Sequence, residues 1–160
     1  MKFLFFIIFY FFIANAKALE VGCDFEEVYD DGTIQQGTFL IMENKLRYEY
    51  NNSQLFTLFY YEGEIYLVRN DNPSLIQKIS EETPIIDSIM QVIEEYPNIK
   101  NYYEFDQIKI KLEKSLATDF IKRLSIASKD INLSIYLNDC VFKSFPRVYF
   151  NFNPIVPYKK

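Results

Sequence analysis

The sequence predicts a single α+β domain dominated by a twisted antiparallel sheet of about eight to ten strands. Short segments that alternate between apolar and polar residues recur about every 8 to 12 residues, with turn-forming residues between them. Helical periodicity occurs in one segment, near the middle of the chain. The 160 residues contain 4 glycines and 6 prolines and no internal repeat or linker, so we expect short loops within one domain.

The first 18 residues are predicted to be a signal peptide, to be set aside before the fold is considered. Lys2 precedes an unbroken apolar run from Phe3 to Ile13, which is shorter than the roughly 20 residues that a transmembrane helix needs. Small-x-small patterns end at Ala16 and Ala18, so we expect cleavage after one of these residues and a mature domain of residues 19–160. An uncleaved membrane anchor is the alternative.

Charge and cysteine content narrow the class of protein. The chain has 17 basic and 22 acidic residues and a net charge of −5, and loss of Lys2 and Lys17 with a signal peptide would make the balance more acidic. The acidic balance, without basic runs, argues against nucleic acid as a partner. Cys23 and Cys140 would either form a disulfide or remain two buried thiols. Both alternatives stay open, because a bond depends on a Cα separation that sequence does not give.

The first half of the mature chain is predicted to be a β-meander. Asp31-Gly32 and Glu62-Gly63 supply the turn signals. The strand-like segments are a hairpin at residues 20–42 and further strands at residues 45–50, 54–61, 65–70 and 75–80.

One helix interrupts the strands. Pro84 is suited to a first helical position, Thr83 before it is a candidate N-cap, and Pro97 ends the segment. Apolar residues follow at i, i+3, i+4 and i+7, and we expect this stripe to pack against the sheet. The stripe consists of Ile86, Ile89, Met90 and Ile93.

The second half returns to strands. Residues 105–114 alternate strictly, and residues 120–128 and 131–139 form a second predicted hairpin around Lys129-Asp130. The final stretch, residues 147–155, is predicted to be extended, with one apolar face made of Val148, Phe150 and Phe152.

The residues that enzymes commonly use are scarce. The sequence contains no histidine, which removes the commonest general base and metal ligand. It has no glycine-rich phosphate loop and no G-x-S-x-G motif. Acidic pairs occur at residues 26–27, 30–31, 81–82 and 94–95. We expect solvated charge there, because adjacent carboxylates on a strand point to opposite faces. We therefore predict no enzymatic activity, no metal and no cofactor.

Two strand segments are apolar on both faces, which favours a binding role. They run from Leu55 to Tyr61 and from Ile65 to Val68. Such strands must be covered on both sides, and a helix of about twelve residues covers one side of a sheet. The other side then needs a second layer, or it forms a concavity for an apolar guest.

The order of several motifs resembles that of the periplasmic outer-membrane lipoprotein carriers (LolA-like proteins). The motifs are "GTFLIMENKLRYEY", "YYEGEIYLV", "NDNPSLIQKI" and "ETPIIDSIM", with "FNFNPI" near the end of the chain. The residues that stand at the family's positions are Gly37, Arg47, Tyr48, Tyr50, Gly63, Tyr66, Thr83 and Pro84.

The resemblance implies an incomplete β-barrel, in which a curved antiparallel sheet has one main helix covering its open side. It further implies a monomeric periplasmic carrier or chaperone that binds the acyl chains of lipoproteins, or another apolar ligand, and takes them toward the outer membrane. Membrane-bound donor and acceptor proteins would be its partners. Two features depart from the family. Met42, Glu43 and Asn44 replace a basic pair before proline, and no helix precedes the first strand.

The predicted cavity residues are the alternating apolar side chains of the strands and the helix stripe. They are Phe39, Ile41, Leu46, Tyr48, Tyr50, Phe56, Leu58, Tyr60, Tyr66, Val68, Ile86, Ile89, Met90 and Ile93. The alternative hypothesis is a secreted, non-enzymatic β-rich structural or interaction module with a filled interior. An open pocket would favour the carrier, and a filled interior would favour the alternative.

Overall fold

The computed structural model describes residues 19–61, 63–80, 83–118 and 120–158. The predicted signal peptide, residues 1–18, lies outside the described residues. The described chain forms one sheet of ten strands and one α-helix, which confirms the predicted α+β class with an antiparallel sheet. The strands are β1 (Glu20–Tyr29), β2 (Ile34–Met42), β3 (Lys45–Tyr50), β4 (Phe56–Tyr61), β5 (Glu64–Arg69), β6 (Ile76–Ile79), β7 (Tyr102–Phe105), β8 (Ile108–Lys114), β9 (Ile121–Ala127) and β10 (Asn132–Phe142), and the helix α1 spans Pro84–Glu94.

The sheet consists of two meanders joined at their first and last strands. Its order is β6-β5-β4-β3-β2-β1-β10-β9-β8-β7, and each neighbouring pair is antiparallel. The two edge strands, β6 and β7, are consecutive in the chain, and α1 lies in the connection between them. The sheet is therefore open between β6 and β7.

The inner face of the sheet, defined as the face that packs with α1, carries the main core. The register places Cys23 opposite Phe39, Phe39 opposite Tyr48, and Tyr48 opposite Leu58. Because strand side chains alternate, these pairs lie on one face with a cluster of buried apolar side chains. Met90, on α1, packs into the same cluster.

The helix begins at Pro84, as the sequence predicts, but Thr83 caps it differently. The Thr83 side chain makes no capping hydrogen bond. Its backbone carbonyl instead accepts hydrogen bonds from the amides of Ile86 and Asp87, at 3.0 and 3.1 Å. The N-terminus of α1 is thus ordered by backbone bonds, with proline in the first turn.

Two regions differ from the sequence prediction. The segment predicted as one strand at residues 105–114 is the second half of a hairpin, β7–β8, whose turn contains Asp106 with a φ of 45°. Residues 147–155 are not a strand: Arg147–Phe150 forms a 3-10 helix, and Phe152 makes an isolated bridge with Ile155. Pro146 precedes this region and Pro154 lies within it, and proline cannot donate a ladder hydrogen bond.

Residues 145–158, here termed the C-terminal segment, cover the outer face of the sheet. Phe145 and Phe150 pack with Leu40 and Met42 of β2 in a second, smaller core cluster. Phe152 stacks on Tyr66 of β5, with ring centroids 4.3 Å apart. Aromatic side chains of the C-terminal segment therefore cover the outer face in the region of β2 to β5.

Arg47 holds the C-terminal segment against the sheet. Its side chain is 1% exposed. Nη1 donates hydrogen bonds to the carbonyl oxygens of Tyr149 (2.8 Å) and Val156 (2.6 Å), while Nη2 pairs with the Glu49 carboxylate. A buried guanidinium is stable only when it is paired and hydrogen-bonded, and the C-terminal segment supplies two of the acceptors.

A disulfide joins Cys23 of β1 to Cys140 of β10, residues 117 apart in sequence. Cys23 is fully buried in the inner core. The bond resolves the alternative that the sequence left open, and it links the two meanders at the strands where they meet.

Replacing Arg47 should loosen the C-terminal segment. Arg47→Met leaves the Tyr149 and Val156 carbonyls without their donor, so we expect the free energy of unfolding to fall by about 2–4 kcal/mol in urea titrations. Hydrogen exchange at residues 147–156 should rise in the same variant. Arg69→Met, which removes an exposed partner of Asp71, is the control and should cost less than about 1 kcal/mol. Equal effects of the two substitutions would contradict the role of Arg47.

Reduction of the disulfide should destabilise the fold. We expect the free energy of unfolding to fall by about 2–5 kcal/mol when the bond is reduced, because the unfolded chain regains conformational freedom. The measurement is urea unfolding with and without a thiol reductant. A Cys23→Ala/Cys140→Ala variant should not respond to the reductant, and an unchanged wild-type midpoint would refute the prediction.

Candidate functional site

An apolar cavity of about 370 Å³ lies between the inner face of the sheet and the first turns of α1. Its walls come from β1 to β4 on one side and from the β9–β10 hairpin on the other, with the helix above. The lining residues are Glu27, Tyr29, Phe39, Leu46, Tyr48, Tyr50, Phe56, Leu58, Thr83, Pro84, Ile85, Ile86, Ile89, Ile126, Ile131, Leu133 and Ile135.

The structure brings together many of the side chains that the sequence predicts to line a cavity. They come from β2, β3 and β4, which are adjacent in the sheet, and from one side of α1. Those that line the cavity are Phe39, Leu46, Tyr48, Tyr50, Phe56, Leu58, Ile86 and Ile89.

Four predicted residues lie on the inner side but do not line the cavity. Ile41, Met90 and Ile93 are buried in the core cluster beside it. Tyr60 is half-buried against the same cluster and is paired with Leu46 on β3. These side chains support the cavity walls without facing the open space.

Tyr66 and Val68 lie on the opposite face of the sheet from the cavity. The β4–β5 register pairs Tyr60 with Ile65 and Leu58 with Leu67, so Ile65 and Leu67 take the inner positions. Tyr66 contacts Phe152 of the C-terminal segment on the outer face. The sequence prediction for Tyr66 and Val68 is therefore wrong by one residue along β5. A shift of one residue moves a side chain to the other face of the sheet.

Sequence reasoning missed one wall of the cavity. Ile126 from β9 and Leu133 and Ile135 from β10 complete the cavity opposite β3 and β4. The alternation in "NLSIYL" was the available signal, since it places Leu133 and Ile135 on one face. Pairing of β1 with β10 brings this face next to the residues of β1.

A buried carboxylate in the cavity wall is bound by three tyrosine hydroxyls. Glu27 is 5% exposed. Its Oε1 accepts a hydrogen bond from Tyr48 (2.8 Å), and its Oε2 accepts hydrogen bonds from Tyr29 (2.8 Å) and Tyr50 (2.9 Å). We term these four residues the tyrosine–carboxylate cluster. They form one polar region of the cavity wall, here called the polar pole. The other side chains that line the cavity, except Thr83, are apolar.

Gly37 makes the tyrosine–carboxylate cluster geometrically feasible. It lies on β2, between Phe25 on β1 and Tyr50 on β3. A Cβ at residue 37 would stand 2.0 Å from the Glu49 carbonyl oxygen and 2.5 Å from the Phe25 ring, so no side chain fits there. The Tyr48 and Tyr50 side chains can therefore extend across β2 to Glu27, and the Phe25 ring stacks on Tyr48 with centroids 3.9 Å apart.

The surroundings of the cluster favour neutral phenols. Burial raises the pKa of the Tyr48 and Tyr50 hydroxyls well above the usual value for tyrosine, and the nearby Glu27 charge raises it further. Burial and Glu27 together raise the pKa of Tyr29 to about 12. The three hydroxyls thus remain hydrogen-bond donors to Glu27 throughout the neutral and mildly alkaline range.

Comparison with known proteins assigns no family to this chain, so the class of protein is judged from the fold and the site. A scan against protein-family models gives no match, and a search of curated proteins gives none either. Along the described residues, no helix has the length and apolar character needed to cross a membrane. In the same part of the chain, no group of three or more acidic or cysteine side chains is arranged to hold a metal ion. Fold and site together define an open antiparallel sheet with an apolar cavity under one helix.

The tyrosine pKa shifts predict a loss of stability in alkali. Because the folded state retains the phenol protons, its advantage is complete below about pH 10 and declines as the pH rises from there toward the folded pKa values. Tyr50→Phe should make this decline shallower by about 1.4 kcal/mol per pH unit. Urea unfolding at several pH values above 10 measures the slope. An equal slope in Tyr50→Phe and the wild type would contradict the prediction.

Proposed function

We propose that this protein binds an apolar ligand in the cavity beneath α1 and acts as a carrier or chaperone for it. The observation that carries the proposal is the cavity itself, an apolar space of about 370 Å³ in contact with the first turns of the helix. Small-molecule sites have volumes of about 300–1,000 Å³ and are lined mainly by apolar and aromatic side chains. The lining found here has that character.

The volume and the lining fit one chain-like guest. A space of 370 Å³ would hold roughly twelve groups of about 30 Å³, close to the volume of a water molecule in the liquid. Each buried CH₂ group contributes about 0.8 kcal/mol. A chain that buries about eight such groups would gain roughly 6 kcal/mol before the cost of association. Binding of this kind needs no catalytic group.

The helix is placed to act as a lid. Ile86 and Ile89 face the cavity from above, and α1 lies in the connection between the two edge strands, β6 and β7, which do not pair with each other. Displacement of α1 would open the cavity without breaking a strand pair. A guest could therefore enter on the side where the sheet is not closed.

The finer proposal is a LolA-like incomplete β-barrel in the periplasm, with lipoprotein or lipid cargo and membrane-bound donor and acceptor proteins as partners. The open antiparallel sheet and the quoted motifs support it. The disulfide suits an oxidising compartment such as the periplasm. The Met42–Asn44 turn is a feature in which the chain departs from the family, since it lacks the basic pair before proline.

The alternative function, a structural or interaction module with a filled interior, receives less support. Its distinguishing feature would be a closed core, whereas the inner face here contains an open cavity. The unpaired edges of β6 and β7 are the surfaces that such a module would use.

The proposal predicts that narrowing the cavity weakens binding of a fluorescent acyl probe. Ile135→Phe places a ring in the cavity from β10, so we expect roughly four- to fifteenfold weaker affinity, the equivalent of one or two displaced CH₂ groups. Ser134→Phe, the neighbouring residue on the other face of β10, introduces the same ring and should change affinity by less than about twofold. Thermal unfolding of both variants separates this effect from overpacking, which costs about 1–3 kcal/mol.

Native mass spectrometry of the protein purified from its own secretory compartment would identify the guest. A lipid or lipopeptide that leaves only under stripping conditions is the expected result. A bare mass together with no uptake of the acyl probe would overturn the carrier proposal and favour the surface-acting module.

A further inference from the structure

The polar pole of the cavity is built around a carboxylate and faces an otherwise apolar space. Glu27 lies in the cavity wall at 5% exposure. Among the described residues, no lysine or arginine forms a salt bridge with it. Its hydrogen-bond partners are three neutral hydroxyls. Buried carboxylates in proteins are usually paired with an opposite charge, and Glu27 lacks such a cationic partner among the described residues.

The cluster can still accept a hydrogen bond from a guest. An ionised carboxylate has about four lone-pair positions, and the tyrosines use three of them, one on Oε1 and two on Oε2. Because each tyrosine O–H already donates a hydrogen bond to Glu27, its oxygen has only acceptor positions left for a guest. The polar pole therefore offers acceptors and no donors, and it would repel a carboxylate or phosphate head group.

Aromatic rings lie beside the same pole, and those of Tyr48, Tyr50 and Phe56 line the cavity. Phe25 stacks on Tyr48, Tyr50 meets Phe25 edge-on at 5.4 Å, and Phe56 meets Tyr50 edge-on at 5.4 Å. Faces of aromatic rings attract cations, and several rings with a carboxylate form a site for ammonium groups. The acidic balance of the whole chain acts in the same direction, because it attracts cations and repels anions.

We propose that the cavity selects an amphiphile with a cationic nitrogen head group, which binds at Glu27 among the tyrosines while the apolar chain fills the space under α1. This assignment rests on the proposed function, since it specifies the guest of the same cavity. The chain part of the guest supplies affinity, and the tyrosine–carboxylate cluster supplies selectivity for the charge of the head group.

The test compares three probes that have the same chain and different head groups. Dodecylammonium, dodecanol and dodecanoate are titrated into the purified protein below their aggregation concentrations, with isothermal titration calorimetry as the readout. We expect dodecylammonium to bind at least about tenfold more tightly than dodecanol, and dodecanoate to bind most weakly.

Glu27→Gln tests the residue directly. The amide keeps the size of the side chain and an oxygen acceptor for the tyrosines, but it removes the charge. We expect about tenfold weaker binding of dodecylammonium and a change of less than about twofold for dodecanol, which also shows that the variant is folded. Glu26→Gln is the matched control: it makes the same charge change one residue away, on the opposite face of β1, and should preserve the preference for ammonium.

The outcomes separate the two proposals. Equal binding of the three probes, or tightest binding of dodecanoate, would overturn the selectivity for cations while leaving an apolar-ligand carrier in place. Persistence of the ammonium preference in Glu27→Gln would overturn the role of Glu27. Failure of all three probes to bind would overturn the carrier function, and the head-group assignment with it.

Discussion

The pairing of β1 with both β2 and β10 is the constraint on which the rest of the structure depends. It joins two meanders that are otherwise separate along the chain, and the Cys23–Cys140 disulfide reinforces it at the same place. Because β1 lies in the middle of the sheet, its inner residues have β2, β3 and β4 on one side and β10 and β9 on the other. The cavity therefore has walls from both halves of the chain, and neither meander could form it alone.

The two faces of the sheet satisfy the same physical requirement in different ways. Strands that are apolar on both faces need cover on both sides. On the outer face, the C-terminal segment fills the space with aromatic rings and is anchored by Arg47 through two backbone carbonyls. On the inner face, α1 provides the cover, but eleven residues of helix do not fill the width of ten strands. The remaining volume is the cavity, which is why the apolar guest is proposed for this face.

Much of the architecture follows from the periodicity of the sequence, whereas side-chain phase and long-range contacts do not. The meander, the start of α1 at Pro84 and the inner positions of β3 were all predictable from local patterns. Residues 65 to 68 are apolar on both parities, so alternation alone does not determine which of them face inward. The short connection between β4 and β5 contains the missing signal: Tyr61 pairs with Glu64 and Tyr60 pairs with Ile65, which places Ile65 on the same face as Tyr60. The position of the C-terminal segment depends instead on contacts of Arg47 with residues more than 100 positions away, which no local pattern indicates.

Glu27 shows how a cavity-lining residue can be concealed within a common pattern. Adjacent carboxylates on a strand must point to opposite faces, so one member of the Glu26-Glu27 pair had to face the core once β1 was placed at the centre of the sheet. Val21, Cys23 and Phe25 have the phase of Glu27, and that phase is the inner one. A carboxylate at this position is costly to bury, yet the sequence also supplies Gly37, whose missing side chain lets two tyrosines of β3 extend across β2 to it. The glycine, the carboxylate and the tyrosines belong to three different strands, and only their joint presence satisfies the hydrogen-bonding needs of a carboxylate in an apolar cavity. The polar pole is therefore a property of the assembled sheet. It makes one part of the cavity wall polar, so the cavity can distinguish the two ends of an amphiphilic guest, which an apolar lining alone could not do.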